Sequence, residues 1–452
     1  MKKVISLLLV FVLAISCFAG CKAKDPVVED NSVEAIIAKA QTMTRDELYA
    51  KAIEEWDGKT INCVGNSSRG KTAFEYFVAY LQGKSFDATT KTYVADEKVR
   101  KEFPKFKEDF SGKYTWGQPK NNNIFGQIAA DVKASSHTLS MVLIQDGNQI
   151  QSKMLDTGML LNYIPKEWAG DVDKNGVPFA LQSLNKVFMF NNLGKEVDFN
   201  NCWDFVKPGN APLFMGVDSE PVGKNFLYML TNEHYSNILK DAYDKLSDAE
   251  KALFEDTLKE VEPAVKELNM THANAKYSLA WIQRWVKQFN QQTDDGPICN
   301  ELVKKSAEGK NGLLVYSKLR SVTESDDVSK KNITIAAYQD GYAGIGGYMY
   351  KHYLQVLKTS PMPWTSCAFI HYMTTTKEGF APWGKDIGGY CSNAVCNKDH
   401  SKDGGTDFPA LNDKGYDWWT NQTAGGKMVI EDPSYCSQVA FYVGSWIDNI
   451  KK

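Results

Sequence analysis

The sequence predicts an α/β protein with two lobes, each built on a mixed, mainly parallel sheet flanked by helices. Short apolar segments alternate with amphipathic stretches of about a dozen residues, as strands and helices do in a parallel sheet. A second series of the same kind interrupts the first between residues 186 and 344, and the chain then returns through a glycine-rich segment. The length of 452 residues is sufficient for two domains.

The N-terminus carries an export signal, predicted to span residues 1–21. Lys2 and Lys3 precede a short apolar stretch, and Phe18-Ala19-Gly20-Cys21 resembles a bacterial lipobox. Cys21 is therefore the expected site of lipidation, and residues 22–39 are expected to form a tether between the membrane surface and the folded domain. Simple secretion without a lipid is the alternative.

Composition argues against several classes of protein. The net charge is −3 and no block of basic residues occurs, so no nucleic-acid partner is expected. No second apolar stretch of about 18 residues follows the signal, so nothing beyond the lipid is expected to enter a membrane. Besides Cys21 and Cys17, a weaker candidate for lipidation, seven cysteines stand at irregular positions, and only Cys391 and Cys396 are close enough to suggest a local disulfide. No cofactor is expected, and the protein is expected to be a monomer.

The first strand and helix enclose a polar loop that could hold an anion. Ile61 to Val64 is a predicted strand, and the apolar spacing that follows predicts an amphipathic helix over residues 71–82. Ser67, Ser68 and Arg69 lie between them, where the unpaired N–H groups of a helix start favour negative charge. This loop is either a contact for an anionic ligand or a solvated turn.

The other elements of lobe 1 follow from capping signals and apolar runs. Helices are predicted over residues 44–56, 121–134 and 147–155, and strands over residues 114–116, 141–144 and 160–164. Pro361 and Pro363 begin a further predicted helix that reaches residue 373, and Asp432-Pro433 begins the last one.

Lobe 2 is predicted from a second set of strands and a long helical stretch. The strands cover residues 186–190, 213–217, 313–316 and 333–338, and the helical stretch after Pro221 carries an apolar stripe at Phe254, Leu258, Val261, Val265 and Leu268. Glycines and aromatic residues alternate from Gly341 to Tyr350 without nucleotide-binding spacing, so this segment is predicted to be a slim hinge strand. Segments 186–191 and 341–349 are the expected connections between the lobes.

Several loose motifs occur along the chain in a particular order. They are Ile61-Asn62-Cys63-Val64 with Asn66 to Arg69, Tyr163 to Trp168, Lys186 to Asn192, Trp203-Asp204-Phe205, and Thr374 to Gly379. Together they resemble the bacterial extracellular solute-binding proteins of ABC transporters, with the type II periplasmic-binding fold, nearest to the iron, sugar-phosphate and polyamine group. On this pattern lobe 1 comprises residues 40–185 plus 345–452, and lobe 2 comprises residues 186–344.

The resemblance implies a solute that is held between lobes closing by hinge bending and is delivered to ABC permease subunits. The protein would be exported and lipid-anchored to the outer face of the cell membrane or in the periplasm. Carried over to this sequence, the ligand-binding residues would be Ser67, Ser68, Arg69, Asn121, Asn122, Asn123, Gln145, Asp146, Asp218, Ser219, Tyr316, Ser317, Tyr338, Asp340 and Tyr342.

The expected solute is small, polar and anionic, such as a sugar phosphate or a carboxylate. Arg69 offers a planar fork of donors that can meet two anionic oxygens at once. Ferric-binding members of the family often use neighbouring tyrosines, and the chain has no Tyr-Tyr pair, so ferric ion is the less favoured ligand. Polyamine binders need several carboxylates to face the amines of their ligand. An arginine in the first loop would repel those amines, so a polyamine fits this sequence poorly.

The sequence gives little support for catalysis or for a metal site. No His-Glu-x-x-His, Cys-x-x-Cys or Gly-x-Ser-x-Gly pattern occurs, so no catalytic residue, metal ligand or enzyme activity is predicted. Asp171 to Gly176 matches half of a calcium loop without the closing Glu; a surface turn is favoured, and a calcium ion over residues 171–182 stays open. The alternative function is a secreted carbohydrate-active hydrolase with Trp418-Trp419 as a sugar platform.

Overall fold

The computed structural model describes residues 30–193, 197–218, 220–323, 332–384, 387–397 and 412–450. The predicted export signal, the predicted lipobox with Cys21 and the start of the predicted tether lie outside these residues. Among the described residues no helix combines the length and the apolar character needed to cross a membrane.

Helices occupy most of the chain between the strands. They are α1 Val33–Ala40, α2 Arg45–Trp56, α3 Arg69–Leu81, α4 Glu97–Glu102, α5 Asn121–Ala134, α6 Gly147–Gln149, α7 Val172–Asn175, α8 Pro221–Leu230, α9 Glu233–Asp244, α10 Asp248–Ala252, α11 Glu255–Glu260, α12 Glu262–Glu267, α13 Ala275–Gln288, α14 Asp295–Leu302, α15 Lys318–Thr323, α16 Pro363–Thr375, α17 Lys377–Phe380, α18 Tyr416–Thr420 and α19 Pro433–Ile450. Both predicted capping boxes form, at Thr44 with Glu47 and at Ser247 with Glu250.

The strands form a mixed sheet and a small hairpin. They are β1 Thr60–Gly65, β2 Lys84–Asp87, β3 Thr92–Ala95, β4 Lys113–Gly117, β5 Met141–Ile144, β6 Leu160–Leu161, β7 Ala180–Asn191, β8 Leu213–Phe214, β9 Asn290–Gln291, β10 Asn311–Val315, β11 Ile333–Ile335, β12 Gly347–Leu357, β13 Gly389–Cys391 and β14 Val429–Ile430. Strands β2 and β3 pair with each other, and the main sheet has the order β4-β1-β5-β12-β7-β10-β8-β9.

Two long strands, β7 and β12, join the two halves of the main sheet. Strand β1 runs parallel to β4 and β5 in the first half, and β8 runs parallel to β9 and β10 in the second. Between these halves β12 is antiparallel to both β5 and β7, with Gly347 opposite Val187 and Tyr348 opposite Lys186. The two segments expected to connect the lobes are therefore neighbours in one hydrogen-bonded sheet. The lobe boundaries at residues 185, 186, 344 and 345 stay a prediction.

Separate apolar clusters fill the two halves. In the first half Trp56, Phe74 and Phe77 pack with Phe369 from α16, which explains the apolar stripe predicted for α3. In the second half Trp281 and Trp285 stack in parallel on one face of α13 and pack against Phe188 of β7. The core of each half thus reaches the long strands, whose residues are buried along their whole length.

Several predicted elements differ from those observed; among them, the hinge strand predicted from Gly341 begins only at Gly347. The predicted strand 333–338 ends at Ile335, because Ala336–Tyr338 turns into a short 3₁₀ segment closed by the Gln339 N–H on the Ala336 carbonyl. The predicted strands 160–164 and 213–217 shorten to the pairs in β6 and β8. Residues 150–155 form a π-helical turn rather than α-helix, as the bond from the Asp156 N–H to the Gln151 carbonyl shows.

The long helical stretch predicted after Pro221 is interrupted several times. Helices α11 and α12 meet at Val261, because Pro263 has no N–H to continue the first helix and is tolerated only in a first turn. The apolar stripe from Phe254 to Leu268 still faces the core, since Phe254, Leu258 and Val261 are buried in the same cluster. A periodic pattern can therefore survive a break in the helix that carries it.

Candidate functional site

A polar cavity of about 270 Å³ lies where the two halves of the sheet face each other. Its first wall contains residues that follow β1, β4 and β5, and its second wall contains residues that follow β8 and precede α14. Ligands collect at this edge of α/β sheets because strand ends leave polar loops there. The lining residues are Asn66, Gln118, Pro119, Lys120, Gln145, Lys186, Met215, Glu220, Val222, Asp294, Asp295 and Tyr350.

A buried ion pair forms the floor of this cavity. The Lys186 ammonium donates to both carboxylate oxygens of Asp295, at 2.7 and 2.6 Å, and also approaches the Met215 sulfur at 3.3 Å. The backbone N–H of Val315 donates to the same carboxylate at 3.1 Å. Because each charge is neutralised by its partner, the pair contributes little net charge to the cavity.

Glu220 connects the two walls. The Asn121 side-chain amide, at the start of α5, donates to Glu220 Oε2 at 2.7 Å, and the Lys120 ammonium lies 3.6 Å from Oε1. Asn121 Oδ1 in turn accepts from the backbone N–H of Gln145 at 3.1 Å. Glu220 itself stands just before Pro221, the first residue of α8. One carboxylate thus joins the loop after β4, the loop after β5 and the start of a helix in the second half.

Two polar groups of the cavity have no hydrogen-bond partner among the described residues. Tyr350, in the middle of β12, is only 3% exposed, and its hydroxyl has no hydrogen bond in the described part of the protein. The Oδ1 atom of Asn66 is shielded from solvent and is likewise without a partner there. Buried polar groups are normally paired, because leaving one unpaired costs about 1–3 kcal/mol.

Arg69 begins α3 at the end of the loop that contains Asn66. Burial lowers the pKa of its guanidinium to about 10; Tyr350 opposes this shift, and the nearby Arg320 guanidinium adds to it. Ser67 is held in place because its carbonyl accepts from the Trp116 indole N–H at 2.8 Å. The Glu75 carboxylate accepts from the Tyr114 hydroxyl at 3.2 Å. The Arg69 guanidinium is half-buried and close enough to Tyr350 for the two groups to influence each other.

Asp146 lies behind this wall, in a buried polar network. Its carboxylate accepts from the Gln149 backbone N–H at 3.2 Å and caps α6, and burial raises its pKa to about 7. Beside it, Asn148 donates to Asn225 Oδ1 at 2.7 Å, and Asn225 donates to Glu431 at 3.2 Å. Burial also raises the pKa of Glu431. This chain of contacts runs from α6 through α8 to the segment before α19.

The tyrosines predicted for the site lie in other surroundings. The Tyr316 and Tyr338 hydroxyls are 3.0 Å apart, and Tyr338 also stacks on Trp419 and donates to the Asn412 carbonyl at 3.0 Å. The Tyr342 hydroxyl donates to the Ile345 carbonyl at 2.8 Å. These rings support the second half of the sheet and the segment around α18.

The other predicted site residues divide between the cavity, the surface and the undescribed part of the chain. Gln145 lines the cavity and Asn121 contacts its wall. Ser317 is partly exposed, whereas Ser68, Asn123, Asp218 and Asp340 are exposed. Ser219 and the side chain of Asn122 lie outside the described residues. The structure thus brings together Asn121, Gln145 and the loop of Arg69, and separates them from Tyr316, Tyr338 and Tyr342.

Sequence reasoning missed most of the charged groups in the cavity. Lys186 was treated only as part of a hinge strand, although a lysine inside an otherwise apolar strand indicates a buried partner. Asp294 and Asp295 precede Gly296-Pro297 at the start of α14, the acidic pattern of a helix N-terminus. Glu220 and Tyr350 carried no local signal that separates them from ordinary residues of a cap and a strand.

The weaker chemical patterns have structural explanations. Asp171 caps the short helix α7 by accepting from the Lys174 N–H at 3.1 Å, so the half calcium loop is a capped turn. Cys391 and Cys396 are buried free thiols. Trp419 is fully buried and Trp418 packs against it edge-to-face. Within the described ranges, no group of three or more His, Cys, Asp or Glu residues is arranged to hold a metal ion.

The chain topology and the placement of the cavity define a two-lobed α/β binding fold, the type II periplasmic-binding-protein fold. Iron-bound HitA from Pseudomonas aeruginosa superimposes with a TM-score of 0.51 at 12% identity, over 87% of this chain and 99% of that one. The Bordetella ferric binding protein superimposes with a TM-score of 0.50 at 9% identity, over 87% and 99% of the two chains. No protein-family model matches the sequence, and no curated protein matches it.

Proposed function

We propose that this protein is an extracellular solute-binding protein, which captures a small polar solute between its two lobes and delivers it to an ABC importer. The observation that carries the proposal is the polar cavity between the halves of the sheet, lined from both sides and crossed by β7 and β12. A ligand that contacts both walls stabilises their closed arrangement, which a permease can then recognise.

The solute is proposed to carry a carboxylate or phosphate that is bound by Arg69 with Ser67 and Ser68. Arg69 begins α3 directly after the loop whose Asn66 lines the cavity, and it is close enough to Tyr350, another lining residue, for the two groups to influence each other. Both structures named above are described as iron-bound or ferric-binding. Ferric ion is the less favoured solute here, because the lining carboxylate of Asp295 is already engaged by Lys186 and the chain has no Tyr-Tyr pair.

The site of action is proposed to be the outer face of the cell membrane or the periplasm. The support is the sequence of the first residues, in which a charged start and a short apolar stretch precede Cys21. A multiply acylated cysteine would hold the folded domain at the membrane surface, next to the permease.

A hydrolase is the second function considered, and no contact in the cavity favours it. The proposed sugar platform, Trp418-Trp419, packs against Tyr338 instead of facing the cavity. We therefore propose a binding protein without turnover.

The proposal is tested by a thermal-shift screen of sugars, sugar phosphates, carboxylates, polyamines and ferric ion. A binding protein gives saturable stabilisation with no product, whereas a hydrolase converts its ligand. The variant Gln118→Trp places a bulky ring at the mouth of the cavity and is expected to abolish the shift. Gln438→Trp, at an exposed position of α19, is the matched control and should keep it. Equal shifts in both variants would place binding elsewhere on the molecule.

A further inference from the structure

The charges that line the cavity are unevenly balanced. Lys186 and Asp295 neutralise each other, which leaves the carboxylates of Glu220 and Asp294 against the ammonium of Lys120. Glu220 is only 9% exposed, so its charge acts at close range through a medium of low polarity. The wall formed by the second half therefore carries an excess of negative charge.

This acidic wall would be an ordinary feature of a protein surface without a further sign of a ligand. That sign is the Tyr350 side chain, which is only 3% exposed, lines the cavity and has no hydrogen bond from its hydroxyl among the described residues. Asn66 Oδ1, on the opposite wall, is a buried acceptor that likewise has no hydrogen-bond partner among the described residues. A bound molecule with its own donors and acceptors would satisfy both groups.

Tyr350 is close to charged groups of both signs. Burial raises the pKa of its phenol most, and Asp295, Glu220, Glu431 and Asp294 raise it further. Arg69 is close enough to Tyr350 for the two groups to influence each other. Arg69 also begins the helix that directly follows the loop of Asn66. The cavity thus has acidic groups along its second wall, and Arg69 stands at the end of the loop that contributes Asn66 to its first wall.

We propose that the solute is a zwitterion, whose protonated amine is bound by Glu220 and Asp294 and whose anionic group faces Arg69, an inference that rests on the proposed solute-binding function. The Tyr350 hydroxyl contacts the segment between the two charges. Amine and anion are then both recognised, so a molecule with only one of them binds more weakly.

The test uses two matched series of small probes in titration calorimetry with the exported, folded protein. Phosphoethanolamine is compared with 2-hydroxyethyl phosphate and ethanolamine, and 3-aminopropanoate with 3-hydroxypropanoate and propylamine. At least one zwitterion is expected to bind at least about ten-fold more tightly than both its hydroxyl analogue and its amine analogue. Glu220→Gln is expected to lower the affinity for that zwitterion by about ten-fold to a hundred-fold. The same substitution should change the affinity for the hydroxyl analogue by less than about three-fold.

Controls separate a lost contact from a damaged fold. Asp294→Asn, at an exposed position, is expected to act in the same direction as Glu220→Gln with a smaller effect, and Glu262→Gln, on the surface of α12, is expected to have none. Tyr350→Phe removes one hydroxyl and should weaken binding of the zwitterion. Circular dichroism of each variant confirms that it is folded.

Three results would overturn the zwitterion assignment. They are a hydroxyl analogue that binds as tightly as its amine counterpart, a folded Glu220→Gln protein that keeps full affinity for the zwitterion, and no saturable binding of either zwitterion. In each case a saturable shift with any other compound of the wider screen leaves the proposed function standing. Failure of that entire screen, together with product formation, overturns the proposed function itself.

Discussion

Lys186 and Asp295 form a buried ion pair that connects a long central strand to the start of a helix in the second half. The lysine ammonium lies 2.6 Å and 2.7 Å from the two carboxylate oxygens, and the residues are 109 positions apart in the sequence. Each charge would be strongly destabilising alone in this place, because burial removes it from water. The pair therefore determines how β7 and α14 are placed relative to each other.

Replacing Lys186 by Met should destabilise the protein by about 3–5 kcal/mol, since the Asp295 charge is left buried without a partner. Adding Asp295→Asn should restore a large part of that loss. Urea unfolding followed by tryptophan fluorescence measures both. Lys304→Met breaks the exposed pair with Glu301 and should cost less than about 1 kcal/mol. Equal effects of the two lysine substitutions would contradict a special role for the buried pair.

Arg69 should matter for an anionic solute far more than for stability. Arg69→Ala and Arg69→Lys should weaken binding of the solute found in the screen by about 2–4 kcal/mol, or roughly thirty-fold to a thousand-fold in dissociation constant. Lysine supplies the charge without the planar fork of donors. Lys71→Ala, on an exposed position of the same helix, is the control in calorimetry. Affinities within about three-fold of wild type in both Arg69 variants would show that this loop is a solvated turn.

Stability should fall as the pH rises from about 4 to 7 because of Asp146. Burial raises the pKa of this carboxyl to about 7 in the folded protein, whereas the unfolded chain keeps the ordinary value of an aspartate. The folded state thus binds the extra proton: its stabilising effect is complete below the unfolded pKa and is lost as the pH rises through the folded one. The total change is a few kcal/mol, at about 1.4 kcal/mol per pKa unit.

Asp146→Asn should remove most of this pH dependence while preserving the cap of α6, since an asparagine oxygen can accept the same backbone bond. Unfolding free energies at several pH values measure the effect. Asp171→Asn is a matched substitution of a helix cap at an exposed carboxyl whose pKa is lowered by its bonds to Lys174. The Asp171→Asn protein should still lose stability between about pH 4 and 7, as the wild type does. An unchanged profile in Asp146→Asn would assign the dependence to another group, such as Glu431.

The close pairing of β7 with β12 should make Gly347 intolerant of any side chain. A Cβ at this position would lie 2.1 Å from the Lys186 carbonyl oxygen and 2.9 Å from the Val187 Cα, and both contacts are with backbone. Gly347→Ala should therefore cost about 1–3 kcal/mol of stability. Gly126→Ala, in the middle of α5 with open space around it, should be neutral or stabilising by less than about 1 kcal/mol. Thermal unfolding of both variants provides the comparison.

Cys21→Ser should release the protein from the membrane fraction into the soluble exported fraction. A lipid-modified cysteine is the only anchor that the sequence suggests, and a serine cannot receive the thioether-linked lipid. Fractionation and immunoblotting of cells that produce either protein measure the shift. Cys63→Ser, at a buried position, controls for a loss of one thiol. Unchanged membrane association of Cys21→Ser would show that the lipobox interpretation is wrong.

Local patterns predicted the elements of this fold better than they predicted the cavity. The capping box at Thr44, the stripe from Phe74 to Leu81 and the proline at residue 433 all act within a few residues, so they can be identified in the sequence. Likewise, the loop of Ser67 to Arg69 could be predicted, because a strand directly precedes it and a helix follows.

The charges opposite that loop depend on contacts between distant parts of the chain. Asn121 meets Glu220 across 99 positions, and Tyr350 reaches the cavity only because β12 lies between β5 and β7. The residues next to Glu220 and Tyr350 in the sequence give no indication of which distant residues these two side chains contact. The three predicted tyrosines do not line the cavity. Aromatic residues near a hinge also pack well against one another, as Tyr338 does with Trp419, so their position in the sequence does not distinguish packing from ligand binding.

The order of strands has a consequence for how the protein reaches its native state. Strand β5 pairs with β1 on one side and with β12 on the other, and helix α2 packs on α16, so the first half to be synthesised needs partners that emerge much later. In the second half β10 pairs with both β7 and β8, and these two strands are synthesised before it. Apolar strands of the first half therefore stay uncovered while most of the chain is still being made, which exposes them to aggregation.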